Sequence, residues 1–128
     1  MMSIQRINYD ALGEVQGPYT HSIIYNNALY TSGLTAFGGA AQTEGIEAQT
    51  RAIFAQLIHI CETHQITLQN LIKVTIFVSD FSDIDVLRTT LFDLYGSAIP
   101  ASSLIKVDAL FSADLKIEIE AIIGLDVP

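Results

Sequence analysis

Two alternating stretches near the carboxyl end hold the residues whose types and spacing suit chemistry: IPASSLIKV from Ile99 to Val107 and LKIEIEAII from Leu115 to Ile123. Glu118 and Glu120 stand two apart and share a strand face, so they form a carboxylate pair suited to acid–base work. The same alternation describes a solvated or interface face that does no chemistry. Lys106 would be a nucleophile if desolvated; its plainer role is to balance nearby carboxylates. Alternation after Pro100 sends Ser103, Ile105 and Val107 to the core and Ser102, Leu104, Lys106 and Asp108 away from it. In the last stretch Ile117, Ile119 and Ala121 oppose Lys116, Glu118 and Glu120. The expectation is one polar sheet face carrying Ser102, Lys106, Glu118 and Glu120.

Other reactive side chains are weaker candidates. Tyr19 follows Gly17-Pro18 on a loop, where its ring or hydroxyl is free to serve a cleft. His59, Cys61 and His64 invite a metal reading, but helical geometry puts His59 opposite the line of Cys61 and His64, so no metal is expected. Cys61 reads as an inert core thiol. Gly38-Gly39 lacks the Lys-Ser/Thr of a phosphate loop, and no cofactor is expected.

These residues sit in a chain of 128 residues, the size of one domain spanning 1–128. Half the residues are hydrophobic and 16% are charged, a composition that folds. So large an apolar share suggests burial between subunits. Net charge is −8 with six Lys plus Arg, too few cations to release the counterions that nucleic-acid binding needs. A single cysteine allows no internal disulfide. The amino terminus lacks a signal-peptide pattern, and LIKVTIFV is too short to span a bilayer. The expectation is a cytoplasmic protein with no membrane or nucleic-acid partner.

The elements that position the candidates follow from periodicity. Ser3 to Asn8 is a short strand and Asp10 to Pro18 a loop. Ser22 to Tyr25 and Ala28 to Ser32 form a hairpin about Asn26-Asn27, since Asn tolerates positive φ. Gly33 to Thr43 is a flexible loop. Thr43 is read as the cap of a helix whose stripe is Ile46, Thr50, Ile53, Leu57, Ile60, Cys61 and His64. Ile72 to Ser79 alternates, with Ile72, Val74, Ile76 and Val78 on one face. Ser82 and Asp85 form a capping-box pattern opening a second helix with the stripe Ile84, Leu87, Leu91, Leu94 and Tyr95, stopped by Gly96. The order β-β-β-α-β-α-β-β gives an α+β domain, two helices on one face of a mostly antiparallel sheet. Phe77 and Leu104 among polar neighbours on the other face suggest a covering second copy.

In GPYTHS (Gly17–Ser22), YTSG (Tyr30–Gly33), GIEAQTRAIFAQL (Gly45–Leu57), LIKVTIFVSD (Leu71–Asp80), PAS (Pro100–Ser102) and KIEIEAI (Lys116–Ile122), the chain resembles the reactive-intermediate deaminase family. These are enamine/imine deaminases of chorismate-mutase-like fold. The resemblance implies a homotrimer with a small-molecule ligand in clefts between subunits, and cofactor-free hydrolysis of 2-imino acids to 2-oxo acids and ammonia. By position it assigns Tyr19 and Gly33 to the cleft and Glu118 to the carboxylate that positions water.

Two residues depart from the family pattern. Ser102 stands where the deaminases carry a carboxylate-gripping Arg, and Leu104 where a Cys is usual. A bidentate charged contact contributes about 1.5–3 kcal/mol, so its loss weakens binding of a carboxylate about ten- to a hundredfold. Arg88, placed by its spacing inside the apolar stripe of the second helix, is read either as a snorkelling side chain or as a replacement anion clamp. His21, in place of a common Gln, is read as a structural hydrogen-bonding group. The resulting expectation is a small-metabolite-binding member of this family that hydrolyses an imine, enamine or related C–N bond with Glu118, its cleft lined by Tyr19, Gly33, Arg88, Ser102 and Leu104. Its alternatives are a catalytically silent ligand-binding protein and, more remotely, an RNA-cleaving inhibitor of translation.

Overall fold

The computed structural model describes residues 3–126; the ends of the expected domain, residues 1–2 and 127–128, lie outside them. Strands β1 (Gln5–Ile7), β2 (Ser22–Tyr25) and β3 (Ala28–Thr31) precede helix α1 (Ile46–Thr63), strand β4 (Leu71–Val78), helix α2 (Ile84–Tyr95), and strands β5 (Ala101–Lys106) and β6 (Ile117–Gly124). They form one six-stranded sheet in the order β1-β2-β3-β6-β4-β5. Only β4 and β5 run parallel. The fold is the expected α+β arrangement, and its order of elements is the one read from periodicity.

Local chemistry explains most boundaries. Asn26 and Asn27 take φ of 51° and 67°, the double left-handed turn of a tight hairpin. Helix α1 buries Ile46, Gln49, Thr50, Ile53, Phe54, Leu57, Ile60 and Cys61, a stripe at helical spacing. It ends where Gln65 turns left-handed (φ 61°) and Ile66 N–H donates to the Cys61 carbonyl at 3.0 Å. Helix α2 stops at Gly96, φ 57°. The stripes of both helices close one core with Leu29, Val74, Ile76, Val78, Ile117, Ile119, Ala121 and Ile123.

Both expected helix caps are corrected. Thr43 closes a short 3-10 turn, Ala40–Thr43, and α1 starts after Gly45 with no side-chain cap. Ser82 does not cap α2 either; its N–H and hydroxyl turn back to the Asp80 carboxylate, and Asp83 precedes the helix. In β4 a register shift between Leu71 and Lys73 sends Leu71 into the core and leaves Ile72 half exposed. The placement of Arg88 inside the apolar stripe is also corrected: α2 buries Leu87 and Thr90, whereas Arg88 lies on its solvent side.

The largest correction concerns β5. Its register pairs Ser102, Leu104 and Lys106 with Val74, Ile76 and Val78, and cross-strand partners of a parallel pair share a face. Those three therefore point to the helix side of the sheet, while Ser103 and Ile105 join Thr75 and Phe77 on the open side. Lys73 Nζ donating to Ser103 Oγ at 2.8 Å fixes the same assignment. Glu118 and Glu120 pair with Phe77 and Thr75, also on the open side. The single polar face expected for Ser102, Lys106, Glu118 and Glu120 does not form within one chain. Alternation gives two faces but not their sign, and β5 is an edge strand whose two sides are both exposed.

Candidate active site

The site begins with an interruption in the sheet. The β3–β6 ladder ends at Tyr30–Ile122 and resumes as an isolated bridge at Leu34–Ile119. Between them Thr31, Ser32 and Gly33 face only Ala121 and Glu120, one residue too many, so the chain bulges outward. Thr31 Oγ1 accepts the Ala121 N–H at 3.0 Å, which supplies the partner the ladder has lost.

Glu118 occupies the room this bulge leaves. Its carboxylate lies over Gly33, where a Cβ would come within 2.2 Å of Oε2. Only glycine permits that approach. Partial burial, with Glu120 adding like charge on the same face, pushes the Glu118 carboxyl above the ordinary carboxylate range. Such a group is readier to hold and return a proton than an exposed Glu.

A cavity of about 390 Å³ opens in front of it, lined by Gln16, Tyr19, Ser32, Gly33, Thr35, Phe37, Phe111 and Glu118. Tyr19 is set by its own loop: its hydroxyl accepts the Gln16 N–H at 3.1 Å and its ring rests on Gly17. Ser32 Oγ donates to the Thr20 carbonyl at 2.5 Å, tying the bulge to the same loop. Phe37 and Phe111 meet edge to face, centroids 4.9 Å apart, and form an aromatic wall.

Helix α1 holds that wall in place through two glutamines. Fully buried Gln49 donates from Nε2 to the carbonyls of Gln42 (3.0 Å), Glu44 (3.1 Å) and Asp114 (2.9 Å), and its Oε1 accepts the Lys116 N–H at 2.9 Å. It thereby joins the loop bearing Phe37 to the loop bearing Phe111. Gln56 Nε2 donates to the Thr35 carbonyl at 2.8 Å.

The structure thus brings together Tyr19, Gly33 and Glu118 of the sequence-predicted residues. Ser102 and Leu104 are on the other side of the sheet. Arg88 is not in the apolar stripe: its side chain is 71% exposed and, among the described residues, its ion-pair partner is Asp85, at 3.9 Å. Lys106 does not face the glutamates; with Lys116 it acts on Asp80, whose carboxyl is held below its usual range mainly by the Ser82 hydrogen bonds. Sequence reasoning missed Gln16, Ser32, Thr35, Phe37 and Phe111. Phe37, a large aromatic beside Gly38-Gly39, was the one available signal; the loop bearing Phe111 contains no glycine.

The histidines have structural partners. His21, buried, accepts the Tyr9 N–H on Nδ1 at 2.9 Å, and burial lowers its pKa. The Tyr9 hydroxyl lies 2.6 Å from Ser22 Oγ and 2.8 Å from His64 Nε2. Both His59 and His64 meet the Tyr9 ring edge-on, so His59 is not turned away from His64 as helical geometry suggested. Burial pushes the Cys61 thiol up to about 11, the inert core thiol expected. Among the described residues no cluster of His, Cys, Asp or Glu is suited to a metal ion, and no helix is long and apolar enough to cross a membrane.

Comparison with known proteins gives these geometries a setting. The sequence pattern of the family described as endoribonuclease L-PSP matches residues 10–124. A 2-iminobutanoate/2-iminopropanoate deaminase of Salmonella typhimurium is 31% identical over 111 residues, covering 83% of this chain and 86% of that one. A RutC family protein of Buchnera aphidicola is 30% identical over 113 residues, covering 83% and 85%. Among solved structures, RidA from an Antarctic Psychrobacter superposes with a TM-score of 0.84 at 28% identity, covering 94% of this chain and 98% of that one. A Pseudomonas aeruginosa protein of unknown function shares the fold, with a TM-score of 0.89 at 24% identity and coverage of 99% and 96%.

Proposed function

The chain belongs to the endoribonuclease L-PSP family, the reactive-intermediate deaminases, and from that membership we propose that it hydrolyses a small imine or enamine to a carbonyl compound and ammonia. The observation that supports this most directly is the Glu118 carboxylate, partly buried over Gly33 and facing a cavity of ligand size. A protonated imine carbon is already electrophilic. Glu118 takes a proton from water as the water oxygen bonds to that carbon, then returns it to nitrogen. It next takes the hydroxyl proton as the C–N bond breaks, so that the carbonyl compound and ammonia leave and the last proton passes to solvent. Nothing is oxidised, and no cofactor is required. An acidic chain with a carboxylate in its cavity repels phosphates, which favours this reading over RNA cleavage.

The cavity is open on the sheet's uncovered side, and three copies docking there as a homotrimer would enclose it. Ser102 and Leu104, on the exposed edge strand, would then border a cleft from a neighbouring copy. The protein would work in the cytoplasm.

A second reading keeps the pocket and drops the chemistry. Ser102 and Leu104 stand where an Arg and a Cys are expected, so the chain would bind a small metabolite without turning it over. Imines generated in situ, with and without a carboxylate, separate the two when ammonia release is followed. Acceleration that disappears in Glu118→Ala supports the enzyme; saturable binding without acceleration of any imine supports the silent binder.

A further inference from the structure

The charge and aromatic content of the Glu118 cavity carry information about its ligand. We infer that the site takes an organic cation, a protonated imine or amine bearing an apolar or aromatic substituent and no carboxylate; as a statement about substrate it rests on the imine-hydrolase reading above.

The lining of the cavity contains one charged side chain, the Glu118 carboxylate, and no Lys, Arg or His. Glu120 adds a second negative charge from the same face of β6 (Ile117–Gly124). The remaining polar groups are neutral: the Gln16 amide and the hydroxyls of Ser32, Thr35 and Tyr19. A ligand carboxylate entering here would lose its water and meet like charge, with no guanidinium to offset either cost. A cation meets the opposite situation.

The walls point the same way. Tyr19, Phe37 and Phe111 present rings that are 44%, 41% and 67% exposed in one chain, an unusual amount of aromatic surface to leave in water. Ring faces attract ammonium and iminium groups, and aromatic walls with a carboxylate at the base recognise such cations. The edge-to-face pair of Phe37 and Phe111, fastened through Gln49, keeps that surface in a fixed place rather than on free loops.

A competing cation is Arg6, which lines an adjoining recess of about 610 Å³ that shares Tyr19 and Ser32 with the cavity. A ligand carboxylate reaching Arg6 past Tyr19 is the alternative the test must detect.

Isothermal titration calorimetry of the full chain with benzylammonium, benzyl alcohol and phenylacetate, which share one ring and differ in charge, reads the preference directly. Benzylammonium is expected to bind at least about tenfold more tightly than phenylacetate. Glu118→Gln is expected to bring that ratio to about one, while Phe37→Ala and Phe111→Ala weaken benzylammonium and keep the preference. Absence of saturable benzylammonium binding, a preference for phenylacetate, or phenylacetate binding that disappears in Arg6→Ala or Arg88→Ala overturns the inference. Turnover separates it from the parent reading. Acetophenone imine is expected to give a kcat/KM at least about tenfold above that of 2-iminopropanoate. Faster hydrolysis of 2-iminopropanoate overturns the cation inference and leaves imine hydrolysis standing. Benzylammonium binding through Glu118 with neither imine accelerated supports the cation site and removes the hydrolase.

Discussion

The bulge at Gly33 and the edge strand β5 hold the two halves of the expected site, and they are built very differently. Around Gly33 every component is fixed from within one chain: a notch for a carboxylate, a tyrosine held by its own loop, and two aromatic loops fastened by a buried glutamine. Around Ser102 the strand is exposed on both faces. Ser102 and Leu104 point to the helix side of the sheet, away from Glu118. One region is preorganised within the chain; the other is not. Ser102 and Leu104, which stand in place of the family's Arg and Cys, both lie in the second region, where substitution costs the fold little.

That contrast is sharpest at Gln49. Replacing it with Ala leaves the Lys116 N–H and three carbonyls without their partner in a buried position. A loss of about 3 kcal/mol is expected, read in urea as a lower midpoint with an unchanged slope. A loss under about 1 kcal/mol would mean that the two loops are not held through this side chain.

Gly33→Ala attacks the notch itself. The new Cβ would lie 2.2 Å from Glu118 Oε2, so the carboxylate must swing away from its place. Imine hydrolysis should fall about a hundredfold with only a small change in thermal midpoint, because the side chain can leave toward the open cavity. Full activity in this variant would show that the position of Glu118 over Gly33 does not matter.

At the end of α2 that leads into β5, packing is less complete. The Tyr95 hydroxyl is buried without a hydrogen-bond partner among the described residues, and burial pushes its pKa up to about 12. Its ring meets Phe54 at 5.6 Å. Tyr95→Phe keeps the ring contact and removes the orphan polar group, so a gain of about 1 kcal/mol is expected. A loss would reveal a partner for the hydroxyl, such as an ordered water.

The smallest effect concerns Glu118 and pH. Its raised carboxyl pKa means that the folded chain binds more protons than the unfolded chain between the two values. Stability therefore falls as pH rises through that window, and the ionised group is a liability at neutral pH. Glu118→Gln should melt at a higher temperature than the parent at pH 7. The difference should vanish below the unfolded carboxyl's pKa of about 4.3. A lower melting temperature at pH 7 would mean that the ionised carboxylate is stabilised by a partner.

Much of this was legible before folding. Alternation and 3.6-residue spacing located all six strands and both helices, because burial of one face imposes those periods on any sequence. Asn26-Asn27 and Gly96 marked turns because few residues tolerate their backbone conformations. Tyr19, Gly33 and Glu118 were identified through the family resemblance, and one cavity holds them together. What stayed hidden depended on distance along the chain. Gln49 looked like an ordinary position in α1, since its partners at Gln42, Glu44, Asp114 and Lys116 come from separate loops. Phe37 and Phe111 were loop aromatics with no visible connection.

By itself, then, the sequence determined the elements and the acidic charge, since each follows from local chemistry. The tertiary structure alone decided which face each strand presents. It placed Glu118 on the open side of the sheet and Ser102 on the helix side, because period two is blind to sign and only the pairing register of neighbouring strands resolves it.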